Sequence, residues 1–513
     1  MSSKERPTAP TSAPPRSSAA NSALLHQAQG LLQQRKREEA ALLYRRVLKT
    51  EPANFLALFN LGKICHEQRD LEGAAQCFEK FLKHKPGEAQ VQVALAFVKL
   101  DRQDMDGALK LWNEVRGHVS SAKLLVKFGT HLRIMGRLAE AESFFGEAIA
   151  AEPDYIPAYQ ALALLKKLPL DGTHVSRMLA LEKKGGNLPL DDRVTLGFTL
   201  GNIFLDQGDG DSAFPRLAEA NRLKRAGVKY DIAVFERYID NVISLFDKAF
   251  ADSLRSMGSG RDERPVFVVG MMRSGSTLTD QILSSHPAVA SMGETDYFPQ
   301  SLPVFANAEI PGLFPSGITS ITKPFLDSLS PATLDAIARK YLALTEPFAG
   351  NASRVVDKML FNYLWVGMMR FALPAARLVH CTRDPVDVGL SIWRIPFIEN
   401  IPWAYDMQEI GRYYRLHTKL MNHWKELFPG WAFEANYETM VENQEAASRR
   451  LLEHCGLPWN DICLKFHENT RKVNTASATQ VRQPLYTASS GKWRKYQKHL
   501  GPLIDAIHAG QKT

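Results

Sequence analysis

The chain has 513 residues, 45% of them hydrophobic and 23% charged, proportions that exclude a wholly disordered or collagen-like chain and predict two or three domains with buried cores. Net charge is +8, and residues 465–513 hold nine Lys/Arg against two Asp/Glu, so most of the excess lies in a basic tail suited to an anionic ligand. Five cysteines without a C-x-x-C spacing, no apolar secretory core and no apolar run near the roughly 18 residues of a spanning helix point to a reducing cytoplasm and no membrane span.

Residues 1–22 are mostly Ser, Thr, Pro and Ala and are expected to form a solvated tail, because they carry too little large apolar surface to offset the entropy of ordering. A period of about 34 follows. Ala40, Ala74, Ala108 and Ala141 are each trailed four residues later by an aromatic (Tyr44, Phe78, Trp112, Phe145), and Pro52, Pro86 and Pro153 stand twelve residues past their alanines. Gly62, Ala96 and Gly129 stand twelve before theirs, which puts small residues where paired helices pack closely. The aromatics are read as interior packing. The pattern resembles tetratricopeptide repeats, whose helix pairs stack into a solenoid. A further, degenerate unit is expected around Gly201 and Ala213, and the solenoid is assigned to residues 23–255.

Residues 256–264, glycine-bearing and charged, are read as a linker to a second domain over 265–513. That domain opens on an apolar strand, Pro265–Val269, then the loop Gly270-Met-Met-Arg273-Ser274-Gly275-Ser276-Thr277, then a helical pattern. The two glycines have the separation found in a nucleotide-binding P-loop, which turns backbone N–H groups and a helix N-terminus toward an anion. The lysine and magnesium-binding hydroxyl of a nucleotide kinase are missing: Ser276 follows Gly275, and Arg273 supplies the cation. A second signal, residues 377–394, reads as a strand ending at Thr382, a turn at Asp384-Pro385 and a helix, with Arg383 at the carboxyl end of the strand and Ser391 eight residues on. The fold class expected is an all-α repeat solenoid followed by a P-loop-like α/β domain of three layers around a parallel sheet.

Taken together, residues 273–278 resemble the 5′-phosphosulfate loop of sulfotransferases and residues 383–391 their 3′-phosphate motif. The tyrosylprotein branch, and bacterial proteins joining tetratricopeptide repeats to such a domain, are most similar, over about residues 264–500. The resemblance implies 3′-phosphoadenylyl sulfate as co-substrate and no metal. It places Arg273, Ser274, Gly275, Ser276 and Thr277 around the 5′-phosphosulfate, Arg383 and Ser391 on the 3′-phosphate, and Tyr437, Ser477 and Lys492 on the nucleotide. It also implies Glu294 as general base and Lys358 as stabiliser of the bridging oxygen, with Arg273 sharing in catalysis. His286, the competing base candidate, precedes Pro287 at a helix end and is read as structural. The expected activity is sulfuryl transfer to an acceptor hydroxyl, with protein or peptide tyrosine foremost, carbohydrate, lipid and small phenol left open, and the repeats binding acceptor or partner protein. No nucleic-acid partner is expected, and a homodimer is allowed. The alternative left open is a catalytically silent nucleotide-binding repeat scaffold.

Overall fold

The structure is a computed structural model and describes residues 16–118, 120–254, 260–303, 321–397, 401–469, 480–482, 485 and 490–510. Two compact units divide the chain: one comprises the described residues up to Leu132 together with Ala139–Pro153, and the other comprises Arg133–Leu138 and the described residues from Asp154 onward.

The first unit is a run of paired helices: α1 (Arg16–Gln33), α2 (Arg37–Thr50), α3 (Phe55–Glu67), α4 (Leu71–His84), α5 (Ala89–Asp101), α6 (Met105–Val115), α7 (Ala122–Ile134) and α8 (Leu138–Ala151). Helix α1 begins inside the stretch expected to be solvated, because Asn21 is buried and its amide donates to Thr50 Oγ1 (2.9 Å) and Glu51 Oε1 (2.7 Å). The four repeat aromatics, Tyr44, Phe78, Trp112 and Phe145, are fully buried. Small residues opposite them are dictated by contact: a Cβ on Gly62 would stand 2.6 Å from the Phe78 ring, and one on Gly129 2.7 Å from Phe145.

Each turn between the two helices of a repeat needs one residue in the left-handed region. Arg35 (φ 62°), Arg69 (φ 66°) and Gln103 (φ 65°) fill it in the first three repeats, and Gly136 (φ 84°) fills it in the fourth. In the second and third repeats the next residue caps the second helix, Asp70 accepting from Gly73 N and Asp104 from Gly107 N, both at 2.9 Å. A side chain in this conformation costs on the order of 1 kcal/mol that glycine does not incur. Gln103→Gly should therefore raise stability by about 1 kcal/mol, read as a higher midpoint of unfolding; an unchanged or lower midpoint would contradict the strain argument.

The second unit starts with α9 (Ile156–Ala163), α10 (Thr173–Glu182), α11 (Leu190–Asp206), α12 (Gly210–Ala226), α13 (Ile232–Leu245) and α14 (Lys248–Leu254). The α11–α12 pair repeats the design above: Gly208 has φ 89°, Asp209 caps α12, and a Cβ on Gly201 would stand 2.6 Å from Leu217. The α/β elements follow: β1 (Pro265–Gly270), α15 (Ser276–Ser285), β2 (Val289–Gly293), α16 (Tyr297–Ser301), α17 (Lys323–Asp327), α18 (Pro331–Ala349), β3 (Arg354–Asp357), α19 (Val366–Ala372), β4 (Arg377–Thr382), α20 (Pro385–Trp393), α21 (Met407–Leu427), β5 (Ala432–Asn436), α22 (Tyr437–Glu442), α23 (Gln444–His454) and α24 (Gly501–His508).

All five strands are parallel, in the order β2-β3-β1-β4-β5. Their residues alternate between two cores, as period-two side chains must. Phe267, Val269 and Leu378 face one, and Val266, Val268 and Val379 the other. The chain leaves β1 toward one sheet edge and β4 toward the other, so adjacent β1 and β4 form the switch point where open α/β sheets hold ligands.

A composition change at 256–264 suggested a boundary there, but the structure joins α11–α14 to the α/β core. Phe198, Leu217, Phe235, Ile239, Val242 and Phe246 belong to the same buried cluster as Phe267 and Val269. Phe235 stacks on Tyr413 of α21 at 4.6 Å, and Arg225 of α12 grips Glu409 of α21 through both oxygens (2.8 and 3.0 Å). A fragment beginning at Asp154 should thus fold cooperatively, whereas one beginning at Gly260 should aggregate; thermal unfolding of the two fragments decides the matter, and a well-folded shorter fragment would refute it.

Candidate active site

The loop after β1 is shaped by close backbone approach. Gly270 (φ 150°) pairs with Cys381 of β4, and a Cβ there would lie 2.6 Å from the Cys381 carbonyl oxygen. Ser274, buried, donates its hydroxyl to the Met271 carbonyl (2.7 Å) and ties the loop to itself. Gly275 (φ 96°) precedes α15, and a Cβ on it would meet the Tyr437 ring at 2.8 Å. The first residues of α15, Ser276 and Thr277, are buried, and the helix N-terminus carries partial positive charge.

Arg273 itself is left-handed, φ 68°, a conformation that costs a non-glycine residue and that clusters at functional sites. Its Nε donates to Ser391 Oγ (2.9 Å), and its carbonyl accepts from the Arg383 guanidinium (3.2 Å). Arg383 lies over the Tyr437 ring at 4.5 Å, and the Arg383 carbonyl accepts from the Tyr414 hydroxyl (3.2 Å). One contact network thus joins Arg273, Arg383, Ser391 and Tyr437, which are spread over 165 residues of sequence. Asp384 caps α20 through Val386 N (2.9 Å) and Asp387 N (3.0 Å), which sets Ser391 on the face toward the loop.

Lys492 comes to this rim through a residue that the sequence reading passed over. Asp387, one helical turn before Ser391, is buried and accepts from the backbone N–H groups of Gly491 (2.6 Å) and Trp493 (3.3 Å). Its signal was the i, i+4 spacing to Ser391, which puts both on one helix face. Burial holds the Lys492 ammonium below the usual lysine range, with Arg394, Lys167 and Arg383 adding to the depression and Asp206 opposing it. Ser477 lies outside the described residues.

At the ends of β2 and β3 stands a second constellation. Glu294 follows Gly293, and Lys358 follows Asp357; their side chains form an ion pair in which Lys358 is 2% exposed and Glu294 39%. The Lys358 amide donates to the Gly293 carbonyl (3.0 Å), holding the two chain ends together. An ion pair between Lys358 and Asp357, the competing reading, is not formed. Asp357 instead accepts from the Tyr341 hydroxyl (3.1 Å), the Met359 amide (3.2 Å) and the Asn362 amide (3.2 Å). His286 is buried, its Nδ1 accepting from Ala288 N and its Nε2 facing the Pro458 carbonyl (both 3.1 Å), a structural role. Among the described residues no group of three or more His, Cys, Asp or Glu is placed to hold a metal ion.

With this geometry in place, comparison with known proteins is decisive for the domain. Residues 265–461 match the sulfotransferase family, and residues 25–89 match the tetratricopeptide repeat. The chain carries a sulfotransferase-family domain behind tetratricopeptide repeats. An uncharacterized protein of Aquifex aeolicus is 31% identical over 400 residues, which span 75% of this chain and 51% of that protein. A putative protein-tyrosine sulfotransferase of Caenorhabditis briggsae is 25% identical over 45% of this chain and 81% of its own length, and the protein-tyrosine sulfotransferase of Drosophila melanogaster 22% identical over 47% and 49%. The chain thus spans about half the length of the Aquifex and Drosophila relatives. Among solved structures, the pilus biogenesis factor PilW aligns with a TM-score of 0.32 at 19% identity, over 39% of this chain and 91% of its own.

In the sulfotransferase domain Asp357 has a consequence of its own. Burial, only partly opposed by its three hydrogen-bond donors, pushes its carboxyl from the ordinary 3.8 up to about 7. Between those values the folded chain holds a proton that the unfolded chain has released, so this carboxyl makes stability fall as pH rises through the window. Asparagine mimics the protonated carboxyl. Relative to Asp357→Asn, the wild type should therefore lose stability on the order of a few kcal/mol from about pH 4 to pH 7 in denaturant unfolding; parallel pH profiles would show that the carboxyl is ionised throughout.

Proposed function

We propose that this chain transfers a sulfuryl group from 3′-phosphoadenylyl sulfate to an acceptor hydroxyl, and that the acceptor is a tyrosine of a protein or peptide recruited by the repeats. The single observation that carries the reading is the bridge from Arg273 to Ser391, with Arg383 on the Arg273 carbonyl, because it draws two cationic loops to one switch point of the sheet. A compound bearing anions at two separate ends suits such a rim.

The residues present fit that donor. Ser276 and Thr277 at the start of α15, together with Ser274 and Arg273, would hold the 5′-phosphosulfate, since backbone N–H groups and the helix end favour negative charge there. Arg383 and Ser391 would hold the 3′-phosphate. Tyr437, packed against the Gly275 turn, and Lys492, seated by Asp387, would complete the nucleotide site. Ser477 enters on resemblance alone. The donor supplies the activated sulfuryl group.

Glu294 would take the acceptor proton. It is the more exposed member of its ion pair and can meet a substrate, whereas Lys358 is buried. When Glu294 gains a proton its charge is neutralised, and the Lys358 ammonium loses the carboxylate that compensated it. An uncompensated buried cation is costly. It therefore favours whatever negative charge develops beside it, which is the stabilisation a departing phosphate oxygen requires. Proton uptake and leaving-group stabilisation are coupled in this scheme through one salt bridge.

All five cysteines are free thiols, which supports a reducing compartment such as the cytoplasm. None of the described helices is long and apolar enough to cross a membrane.

Calorimetry with adenosine 3′,5′-bisphosphate and transfer of radiolabelled sulfate to a synthetic tyrosine peptide test the reading. Glu294→Gln and Lys358→Ala should each lower kcat by about 10²-fold or more while the bisphosphate still binds. No binding by the wild type, or unchanged kcat in both variants, would overturn it.

A further inference from the structure

We infer that Asp280 and Ser291 form a positioning pair that aims Glu294 at Lys358, an inference that rests on the roles proposed above for those two residues. Strand β2 pairs with β3 in regular register at Val289↔Arg354, Ala290↔Val355 and Ser291↔Val356, and then the register slips so that Gly293 faces Asp357. An extra residue in one strand turns the following side chains to the opposite face, and such bulges re-aim side chains next to functional sites. Here the slip falls two residues before Glu294. Gly293 completes it with φ 73°, a left-handed value open to glycine.

Three hydrogen bonds pin this irregular segment. The Ser291 hydroxyl donates to Asp280 Oδ1 at 2.6 Å, and Ser291 Oγ itself accepts from the Gly293 amide at 3.3 Å. The Gly293 carbonyl in turn accepts from the Lys358 amide at 3.0 Å. Both backbone groups of Gly293 are therefore fixed, its amide on the Ser291 hydroxyl that Asp280 holds and its carbonyl on the Lys358 amide, and Glu294 is the next residue. Asp280 is 1% exposed, and burying a carboxylate is expensive unless its bonds serve the structure. Its position explains the choice. It lies one turn beyond Ser276 on α15, the helix that opens from the anion-binding loop, so the bond to Ser291 fixes the base relative to that loop. Ser291 and Asp280 act through Glu294 and are positioning residues.

The test uses the full chain with Ser291→Ala, which removes both bonds of the hydroxyl, and Ser291→Thr, which keeps the hydroxyl. Two quantities are read: hydrogen–deuterium exchange of amides 293–295, and kcat against donor KM for release of adenosine 3′,5′-bisphosphate from 3′-phosphoadenylyl sulfate with a tyrosine peptide present. In Ser291→Ala the exchange should quicken about tenfold and kcat fall about tenfold or more with donor KM within about twofold. Ser291→Thr should restore both. Wild-type exchange in Ser291→Ala, a raised donor KM at constant kcat, or failure of threonine to restore either quantity overturns the inference. If the wild type releases no bisphosphate, the proposed activity fails, and the exchange rates alone still decide whether the pair holds Glu294.

Discussion

The architecture of the rim at the β1–β4 switch point depends on how closely two backbones approach at the carboxyl end of the sheet. Strand β1 stays paired with β4 up to Gly270 opposite Cys381, where any side chain would collide with the Cys381 carbonyl. Because glycine occupies that place, the loop leaves β1 while still against β4. The carbonyl of Arg273 then falls within reach of Arg383 and its guanidinium within reach of Ser391. A larger residue would push the two loops apart, and two separate cationic loops cannot grip one molecule. The strained φ of Arg273 is the counterpart of this closeness: a short loop must turn sharply, and the cation sits at the turn.

What the sequence disclosed follows from how local each feature is. The repeat is legible because every unit solves the same contact, a small residue against an aromatic, at a fixed spacing. The loop from Gly270 to Thr277 and the Asp384-Pro385 turn are legible because turn chemistry is set by adjacent residues. Glu294 and Lys358 were reached by resemblance alone, since their ion pair spans 64 positions and nothing in either local stretch announces it. Asp387 in the first turn of α20 and Asp280 within α15 carry no local signal of their contacts. Their partners are a backbone segment 104 residues away and a serine on the next strand, β2, met only once α15 packs beside it. Likewise, the glycine-bearing composition of 256–264 does not tell which core α11–α14 join. That was decided by Phe235, Ile239 and Phe246 packing on residues far along the chain.

The helix pair α11–α12 shows how a repeat unit can be absorbed into an enzyme-like core. It keeps the repeat's internal contacts, yet its outward groups are committed to the α/β fold. Asn221 donates to the Trp393 carbonyl (2.9 Å) and Asn202 to the Arg394 carbonyl (2.8 Å), satisfying the end of α20. Arg394 answers with bonds to Asn202 (2.6 Å) and Asp206 (2.7 Å), and the Tyr496 hydroxyl donates to the Leu205 carbonyl (2.6 Å). Helix α20 carries Ser391 and Asp387, so the pair braces both the helix and the segment holding Lys492.

Burial near the sheet also sorts the ionisable groups by whether they can shed charge. His380 on β4 and His417 on α21 lie 5.3 Å apart with their neighbour Lys425, and burial drives His380 down to about 3 and His417 well below its usual value. Both are neutral at ordinary pH, which keeps positive charge out of the interior of β4. Asp357, its carboxyl pushed up to about 7, is protonated over much of the acidic range and adds little negative charge beside Lys358 there. Lys358, buried, is instead paired with Glu294. Charge at the end of β2 and β3 is thus concentrated in one carboxylate and one ammonium, so a change in the protonation of the first is felt directly by the second.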